Sequence, residues 1–264
     1  MFSMRSVILG LAALAAACGS SGAGGAPDRA SEAQSPGQSA AAAPTAGQAE
    51  SGVLPAGKGT NAPATLADTL WNFESVAVGT LPDGWKTEET RQRGQGALWE
   101  VRAEDGAASG HNVLRLVDTR GASGSTFNLA WTDRVRFLDG TVEVKVHAHT
   151  GREDQGGGPI WRVQDKDNYY ICRWNPLENN FRVYYVQNGN RTMLETARVH
   201  ALPDTWHTIT IHQRGNRIEA LLDGKLLLSA TDDTFTGAGG VGVWTKADAA
   251  SSFDDFVVKG APQP

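Results

Sequence analysis

The sequence predicts an all-β fold, a two-sheet antiparallel jelly-roll sandwich preceded by a signal peptide and a disordered linker. Three observations support this prediction. Strand-length runs alternate between apolar and polar residues, hairpin dipeptides separate several of these runs, and no sustained helical periodicity follows Cys18. Many short strands joined by tight turns in a chain of this size are typical of a β-sandwich or jelly roll.

The N-terminus has the pattern of a secretory signal peptide. Arg5 precedes an apolar run over residues 7–17, which is shorter than the roughly 20 residues that a membrane-spanning helix needs. The sequence Leu14-Ala15-Ala16-Ala17-Cys18 resembles the lipobox of bacterial lipoproteins, with Ala15 where that family prefers leucine. The resemblance implies that residues 1–17 are removed and that Cys18 is lipidated. The alternative is an ordinary secreted protein in which Cys18 has no anchoring role.

The next segment, residues 18–64, is dominated by alanine, glycine, serine and proline. Its only large aliphatic side chains are Val53 and Leu54, so it cannot bury enough apolar surface to offset the entropy of ordering. We expect a disordered tether that holds a single domain, residues 65–260, at the cell envelope. We predict a lipid-anchored protein in the outer membrane or at the cell surface, or one that faces the periplasm.

Residues 141–149 show the strand pattern most clearly. Apolar side chains occupy every second position from Val142 to Ala148, and polar side chains from Glu143 to His149 fill the positions between them. The dipeptides Asn188-Gly189 and Asp223-Gly224 each separate two such runs and predict hairpins. Similar strand patterns cover residues 112–117, 127–131, 168–174, 181–186, 207–213, 217–222 and 252–258.

Several stretches carry a family resemblance. They are residues 158–170 followed by Arg173, residues 206–211 followed by 221–225, and residues 240–246 followed by 253–256. In this order they resemble the concanavalin A-like lectin/glucanase superfamily, and within it the laminin-G-like and 3-keto-disaccharide hydrolase-type jelly rolls. The resemblance covers residues 71–258. It implies two packed sheets, one of them concave, with sugars as the usual ligands of the concave face.

Arginine and aromatic side chains at alternating strand positions are the candidate sugar-binding groups. Guanidinium groups donate to paired hydroxyls, and aromatic rings stack on sugar C–H surfaces. The alternative is cross-strand packing, in which arginine stems cover aromatic neighbours. Trp161, Trp174 and Trp206 are expected in the core. The candidate ligand-binding residues are Arg162, Tyr169, Arg173, Arg182, Tyr184, His147, Trp244 and Lys246.

The glucanases of this superfamily carry their catalytic carboxylates close together on one strand, and this sequence lacks that spacing. Glu143 with Glu153 or Asp154 is the remaining candidate pair, and a solvated strand face followed by a turn is the alternative. His147 and His149 lie two apart on one strand face and could bind a metal, although exposed surface histidines are the alternative.

Calcium is a second implication of the resemblance, since many of these jelly rolls bind one structural Ca²⁺ between acidic residues of their terminal strands. Glu74 near the start of the domain and Asp255 near its end are the corresponding ligands here. The alternative is a pair of acids solvated at the edge of the sandwich.

Three functions are consistent with these features. The first is an envelope-anchored carbohydrate-binding module that recognises a polysaccharide or oligosaccharide on the concave sheet face. The alternatives are a glycoside hydrolase resembling 3-keto-disaccharide hydrolases and a structural or protein-partner-binding lipoprotein. The missing catalytic spacing favours the first. The formal net charge of −5 argues against a nucleic-acid partner, and membrane contact is expected through the lipid anchor only.

Overall fold

A computed structural model of the chain describes residues 68–91 and 95–260. All regular secondary structure in this part of the chain is β-strand. None of its elements is an apolar helix that could cross a membrane. Residues 1–17 and 18–64, with Cys18, lie outside the described residues. The all-β prediction for the domain is confirmed. The strands are β1 (Thr69–Trp71), β2 (Trp85–Glu89), β3 (Leu98–Ala103), β4 (Asn112–Asp118), β5 (Phe127–Phe137), β6 (Gly140–Thr150), β7 (Gly158–Asp165), β8 (Asn168–Asn175), β9 (Asn180–Gln187), β10 (Asn190–Arg198), β11 (Trp206–Arg214), β12 (Arg217–Leu222), β13 (Lys225–Thr231), β14 (Gly239–Lys246) and β15 (Ala250–Gly260).

The strands form two antiparallel sheets. The eight-stranded sheet has the order β13-β12-β11-β6-β15-β4-β3, and β1 pairs with β15. The seven-stranded sheet has the order β10-β9-β8-β7-β14-β5-β2. Neighbours such as β6 and β15, or β14 and β5, are far apart in sequence, so the sheets are assembled mainly from long-range pairings. This is the two-sheet antiparallel sandwich that the alternating runs predict.

Both predicted hairpins occur where the sequence places them. Asn188 and Gly189 connect β9 to β10, and Asp223 and Gly224 connect β12 to β13. All four residues have positive φ, between 50° and 76°. Asparagine, aspartate and glycine tolerate this backbone region, and a turn with two such residues matches the twist of the flanking strands.

The main core lies between the two sheets. Val142, Val144 and Val146 of β6 pack there, as do Trp161 of β7 and Trp174 of β8. Burial of these two tryptophans agrees with the prediction from sequence. Trp206 is not part of this core, because it pairs with His147 across β11 and β6 and shares the opposite face of the eight-stranded sheet. For Trp206 the core prediction is wrong.

A second apolar cluster occupies the outer face of the seven-stranded sheet. Its members are side chains whose strand neighbours point into the main core: Phe127, Leu129, Trp131, Ile160, Val163, Tyr169, Ile171, Tyr184, Val186 and Trp244. Two glycines of β14 make room for one of its rings. A Cβ on Gly240 would lie 2.8 Å from the Trp131 ring, and one on Gly242 would lie 2.5 Å from the Trp131 Cβ. This face of the seven-stranded sheet is therefore apolar at its centre.

Candidate functional site

Most of the predicted sugar-binding side chains share the outer face of the seven-stranded sheet. Tyr184 and Arg182 of β9 are aligned with Ile171 and Arg173 of β8. The side-chain contacts of Tyr169, Trp244 and Lys246 place these residues on the same face. The alternation predicted along β8 and β9 therefore gives the correct grouping of these residues. His147 and Arg162 are the two candidates that lie elsewhere.

Arg173 stands at the centre of a buried ionic network on this face. Arg173 and Asp154 are each 1% exposed, and Nη1 of the arginine donates to Oδ2 of the aspartate at 2.9 Å. Nη2 donates to Glu178 at 2.6 Å. Lys246 Nζ lies 3.2 Å from Asp154 Oδ2. The Asn175 side-chain amide donates to Asp154 Oδ1 at 2.9 Å. The side-chain oxygens of Asp154 contact the donors of Arg173, Lys246 and Asn175, so the carboxylate form fits this environment.

The charges of this network respond to both burial and pairing. Burial raises the pKa of the Asp154 carboxyl, against the opposing pull of Arg173 and Lys246. The pKa of Arg173 is raised despite its own desolvation, because Asp154 and Glu178 favour its charged form. Arg173 is thus a permanently charged group held by protein partners. This arrangement matches the packing alternative better than a free sugar-binding guanidinium.

The aromatic members of the face are also bonded to one another. The Tyr169 hydroxyl lies 2.7 Å from the Thr90 hydroxyl and accepts from the Trp244 indole N–H at 3.1 Å. Burial raises the pKa of Tyr169. The guanidinium of Arg191 lies 4.5 Å from the Tyr184 ring centroid. Because Tyr169 and Trp244 are fully buried, Arg182 and Lys246 are the more exposed of the predicted binding groups on this face.

Arg162 does not join the other arginines. It has a positive φ of 47° at an irregularity of β7, where the register against β14 shifts. Its guanidinium donates to the carbonyls of Leu138, Gly215 and Phe235 at 2.6–2.9 Å. It also pairs with Asp139 at 3.2 Å. A bulge inserts an extra residue and redirects a side chain, so Arg162 links three turns instead of extending the predicted binding face.

An open cleft of about 550 Å³ lies at the β2 and β5 side of the same sheet face. Trp131 lies at the floor of the cleft with only 3% of its surface exposed, and its indole N–H donates to Glu88 at 2.8 Å. The Lys86 ammonium sits 3.9 Å from the Trp131 ring centroid and pairs with Asp133 at 2.9 Å. The remaining lining is polar and comes from the adjoining ends of β7 and β8, the turn between them and the β9–β10 turn: Gln164, Asp165, Lys166, Asp167, Asn168 and Asn188.

The outer face of the eight-stranded sheet carries a different group. Glu104 follows the end of β3, and His147 and His149 project from β6. His147 Nδ1 lies 3.2 Å from Glu104 Oε1, and His149 Nε2 lies 3.4 Å from Glu104 Oε2. The hydroxyl of Ser252 on β15 donates to Glu104 at 2.6 Å. Within residues 68–91 and 95–260, this is the one group of three such side chains whose potential ligand atoms lie within 4.8 Å of one another.

Glu104 is held in its ionised form. Burial acts to raise its pKa, but the bonds from His149, Ser252 and His147 outweigh this and lower the pKa to about 2. Arg115 donates a further bond to Glu104 at 3.2 Å. The two imidazole rings lie 4.3 Å apart, and the Trp206 ring lies 5.2 Å from that of His147. The group therefore combines an anion, two imidazoles and an aromatic ring at the protein surface.

The structure separates the candidate catalytic carboxylates. Glu143 lies on β6 and accepts a bond from Thr210 of β11 at 2.7 Å, on the outer face of the eight-stranded sheet. Asp154 is buried against Arg173 on the other sheet. Glu153 accepts the Gly124 amide at 2.6 Å. Glu143 and Asp154 thus belong to opposite outer surfaces and do not face each other across one groove.

The two predicted calcium ligands lie near each other, since the Asp255 charge acts to raise the pKa of Glu74. Glu74 Oε1 accepts the amides of His111 and Asn112 at 2.9 and 2.7 Å, which lower its pKa. Asp255 accepts the Ser109 hydroxyl and the Lys145 ammonium, each at 2.7 Å. Both carboxylates already have donors, and the Lys145 cation would compete with a Ca²⁺ ion. The residues present fit a solvated, locally bonded pair better than a calcium cage.

Sequence reasoning identified both histidines but missed Glu104 as their partner. Glu104 lies outside any alternating run, and it reaches the histidines across β4 and β15, the two strands that separate β3 from β6 in the sheet. No local sequence signal reports that proximity. Ser252 and Arg115, which contact Glu104, were missed for the same reason.

Comparisons with known proteins agree with this architecture. Among solved structures, the carbohydrate binding module CBM66 from Bacillus subtilis is similar with a TM-score of 0.53 and 20% identity, over 67% of this chain and 96% of that one. The cellulose induced protein Cip1 is similar with a TM-score of 0.50 and 15% identity, over 74% of this chain and 98% of that one. At these identities the similarity shows the fold. No curated protein matches the sequence.

A family model described as the 3-keto-alpha-glucoside-1,2-lyase-like domain matches residues 68–258. This match spans nearly all of the described residues, including both sheets, the cleft and the Glu104 group. It agrees with the concanavalin A-like resemblance seen in the sequence. The chain belongs to the 3-keto-alpha-glucoside-1,2-lyase-like domain family.

Proposed function

We propose that this chain is an envelope-anchored carbohydrate-binding protein whose jelly-roll domain recognises a glycan on the outer face of the seven-stranded sheet, the face expected to be concave. The observation that carries this proposal is the open cleft beside Trp131. Its volume of about 550 Å³ is in the range of small-ligand sites. The cleft is lined mainly by carboxylate, ammonium and amide groups, which are the groups that bind sugar hydroxyls.

The cleft suits a sugar better than the centre of the same face does. At the centre, Arg173 and Tyr169 are buried and bonded to protein partners. At the cleft, by contrast, Lys86 and Asp133 keep side-chain exposures of 43% and 54%, so both can exchange their mutual contact for a ligand. The fold similarity to a carbohydrate binding module and to a cellulose induced protein further supports a carbohydrate ligand.

Binding is tested by affinity electrophoresis and calorimetry against a panel of envelope and plant polysaccharides. Asp133→Ala is the informative variant, because it removes an exposed cleft carboxylate without opening the core. We expect its affinity for a bound glycan to fall at least about tenfold, the effect of losing one or two hydrogen bonds. Asp83→Ala is the matched control, since Asp83 is an exposed aspartate paired with Arg134 outside the cleft lining. Absence of binding to every polysaccharide, or equal losses in both variants, would contradict the proposal.

The anchor is the second part of the proposal, and it rests on the lipobox-like sequence that ends at Cys18. Expression of the full chain in a bacterial host with labelled palmitate tests it directly. The wild-type protein should carry label and sediment with membranes, whereas Cys18→Ser should be unlabelled and released in soluble form. Unlabelled wild-type protein would argue for ordinary secretion.

A catalytic role on a sugar is the second candidate function, and two observations favour it. The chain belongs to a family whose description names a lyase, and Glu104 with His147 and His149 forms an anion and imidazole group of the kind used in acid–base chemistry. Turnover of 3-keto-glucosides and of unoxidised disaccharides by the full chain is the assay. Turnover that is lost in His147→Asn and retained in Asp133→Ala would favour this function over simple binding.

A further inference from the structure

We infer that Glu104, His147 and His149 bind one divalent first-row transition metal ion on the outer face of the eight-stranded sheet. The inference is independent of the carbohydrate proposal, because it concerns the other sheet. It rests on the spacing of the ligand atoms, on an unpaired imidazole nitrogen, and on the side chains that hold the carboxylate in position.

The spacing of the ligand atoms fits a shared ion. His147 Nδ1 lies 3.2 Å from Glu104 Oε1 and His149 Nε2 lies 3.4 Å from Glu104 Oε2. His149 Nε2 also lies 2.8 Å from the Ser252 hydroxyl, a contact that a bound ion would replace. Two ligands bound to one ion at about 2.1 Å in adjacent octahedral positions are about 3 Å apart, so small side-chain movements would allow all three to bind. His147 and His149 project from alternate positions of β6, a rigid strand between β11 and β15. The site is therefore largely preformed.

The second observation is an unsatisfied nitrogen. His147 Nε2 is buried and has no hydrogen-bond partner, and the nearest carboxylate oxygen, on Asp204, is 3.7 Å away. If Nδ1–H donates to Glu104, the Nε2 lone pair faces an acceptor. If Nδ1 binds a metal instead, the proton resides on Nε2 and points at Asp204. Metal-bound histidines commonly donate their second ring N–H to a carboxylate in this way.

Two neighbouring side chains hold the Glu104 carboxylate in position through one of its oxygens. Ser252 and Arg115 both donate to Oε2, at 2.6 and 3.2 Å, while Oε1 faces His147. These bonds fix the plane of the carboxylate and leave Oε1 available to an ion, as second-shell donors do in metal sites. In this interpretation Ser252 and Arg115 position Glu104 as a metal ligand.

The donor set indicates the class of ion. Two imidazole nitrogens and one carboxylate oxygen suit Zn²⁺, Mn²⁺, Fe²⁺, Co²⁺ or Ni²⁺ better than Ca²⁺ or Mg²⁺, which prefer oxygen ligands. Three protein ligands leave coordination positions open. The side chains of His147 and His149 are 16% and 15% exposed, so water or oxygen atoms of a ligand can reach those positions beside the Trp206 ring.

Calorimetric titration of the tag-free full chain with MnCl₂, CoCl₂ and ZnCl₂, after chelator treatment and dialysis, tests the inference. We expect one ion per chain for at least one metal, and a change in the visible absorption of Co²⁺ on binding. His149→Ala and Glu104→Gln should each weaken binding at least about 100-fold. Asp204→Asn should weaken it about 10- to 100-fold, the usual effect of removing a second-shell partner.

His212→Ala is the matched control, because His212 lies on the neighbouring strand β11 and its ring contacts Thr141 at 3.0 Å. It should bind metal as the wild type does. Circular dichroism verifies that each variant is folded. If His149→Ala does not fold, Glu104→Gln provides the test. No binding of any of the three metals, or wild-type affinity in Glu104→Gln, would overturn the inference. Asp133→Ala should bind metal normally, so failure of the glycan proposal is distinguishable from failure of this one.

Discussion

Substitution of Asp154 by asparagine is expected to destabilise the fold strongly, because Asp154 and Arg173 are each 1% exposed and lie 2.9 Å apart. Removing one member of a buried ion pair typically costs about 3–5 kcal/mol, since the remaining charge is left without compensation. Glu178 still contacts Arg173 at 2.6 Å in the variant, so we expect the lower end, about 3 kcal/mol. For a domain of this size that corresponds to a fall in Tm of about 6–12 °C.

Chemical denaturation of Asp154→Asn, followed by tryptophan fluorescence, measures this loss. Glu219→Gln is the control, because it breaks the more exposed contact with Arg217 and should change stability by less than about 1 kcal/mol. In the double variant Asp154→Asn/Arg173→Met, the loss should be smaller than the sum of the single losses, because the unpaired charge is gone. A loss below about 1 kcal/mol in Asp154→Asn, or strictly additive losses, would refute the reasoning.

Three further predictions concern pH, thiol reactivity and calcium. Glu178 is partly buried, which acts to raise its pKa, but Arg173 and the Asn180 amide lower it overall. Its contribution to stability should therefore be fully present above its unfolded-state pKa and be lost as pH falls through its lower folded-state pKa. Glu178→Gln should flatten the acid side of a Tm-against-pH curve. Burial raises the pKa of the Cys172 thiol, so iodoacetamide should modify it only after unfolding, and rapid labelling of the native protein would contradict its position in the core. Because Glu74 and Asp255 already have protein donors, Ca²⁺ and EDTA should each leave Tm unchanged. A Tm that rises with Ca²⁺ in the wild type but not in Glu74→Gln would contradict this and show a calcium site.

The local pattern of the sequence was sufficient for the strands and turns. Alternation along residues 141–149 assigned the inward and outward faces of β6 correctly, because the side-chain period of a strand is set by its own backbone. The two hairpin dipeptides were equally informative, since positive φ at Asn188-Gly189 and Asp223-Gly224 is a property of those residues. The same alternation grouped Arg173 with Tyr169 and Arg182.

Arg162 shows where local reasoning fails. Its alternation with Ile160 predicts a place on the outer face, but the bulge in β7 redirects it toward Leu138, Gly215 and Phe235. A bulge arises from the fit between two strands, and Gly239, whose Cβ would lie 2.3 Å from the Arg162 backbone, permits that close approach. The partner strand, not the β7 sequence, decides the direction of this side chain.

The all-β class, the hairpins, the faces of the regular strands and the concanavalin A-like resemblance could all be predicted from the amino-acid sequence. The three-dimensional fold was needed to show which side chains meet: Glu104 with His147 and His149, Asp154 with Arg173, and Glu143 apart from Asp154. Periodicity is a property of one segment, whereas these contacts depend on strand order in sheets built from pairings distant along the chain.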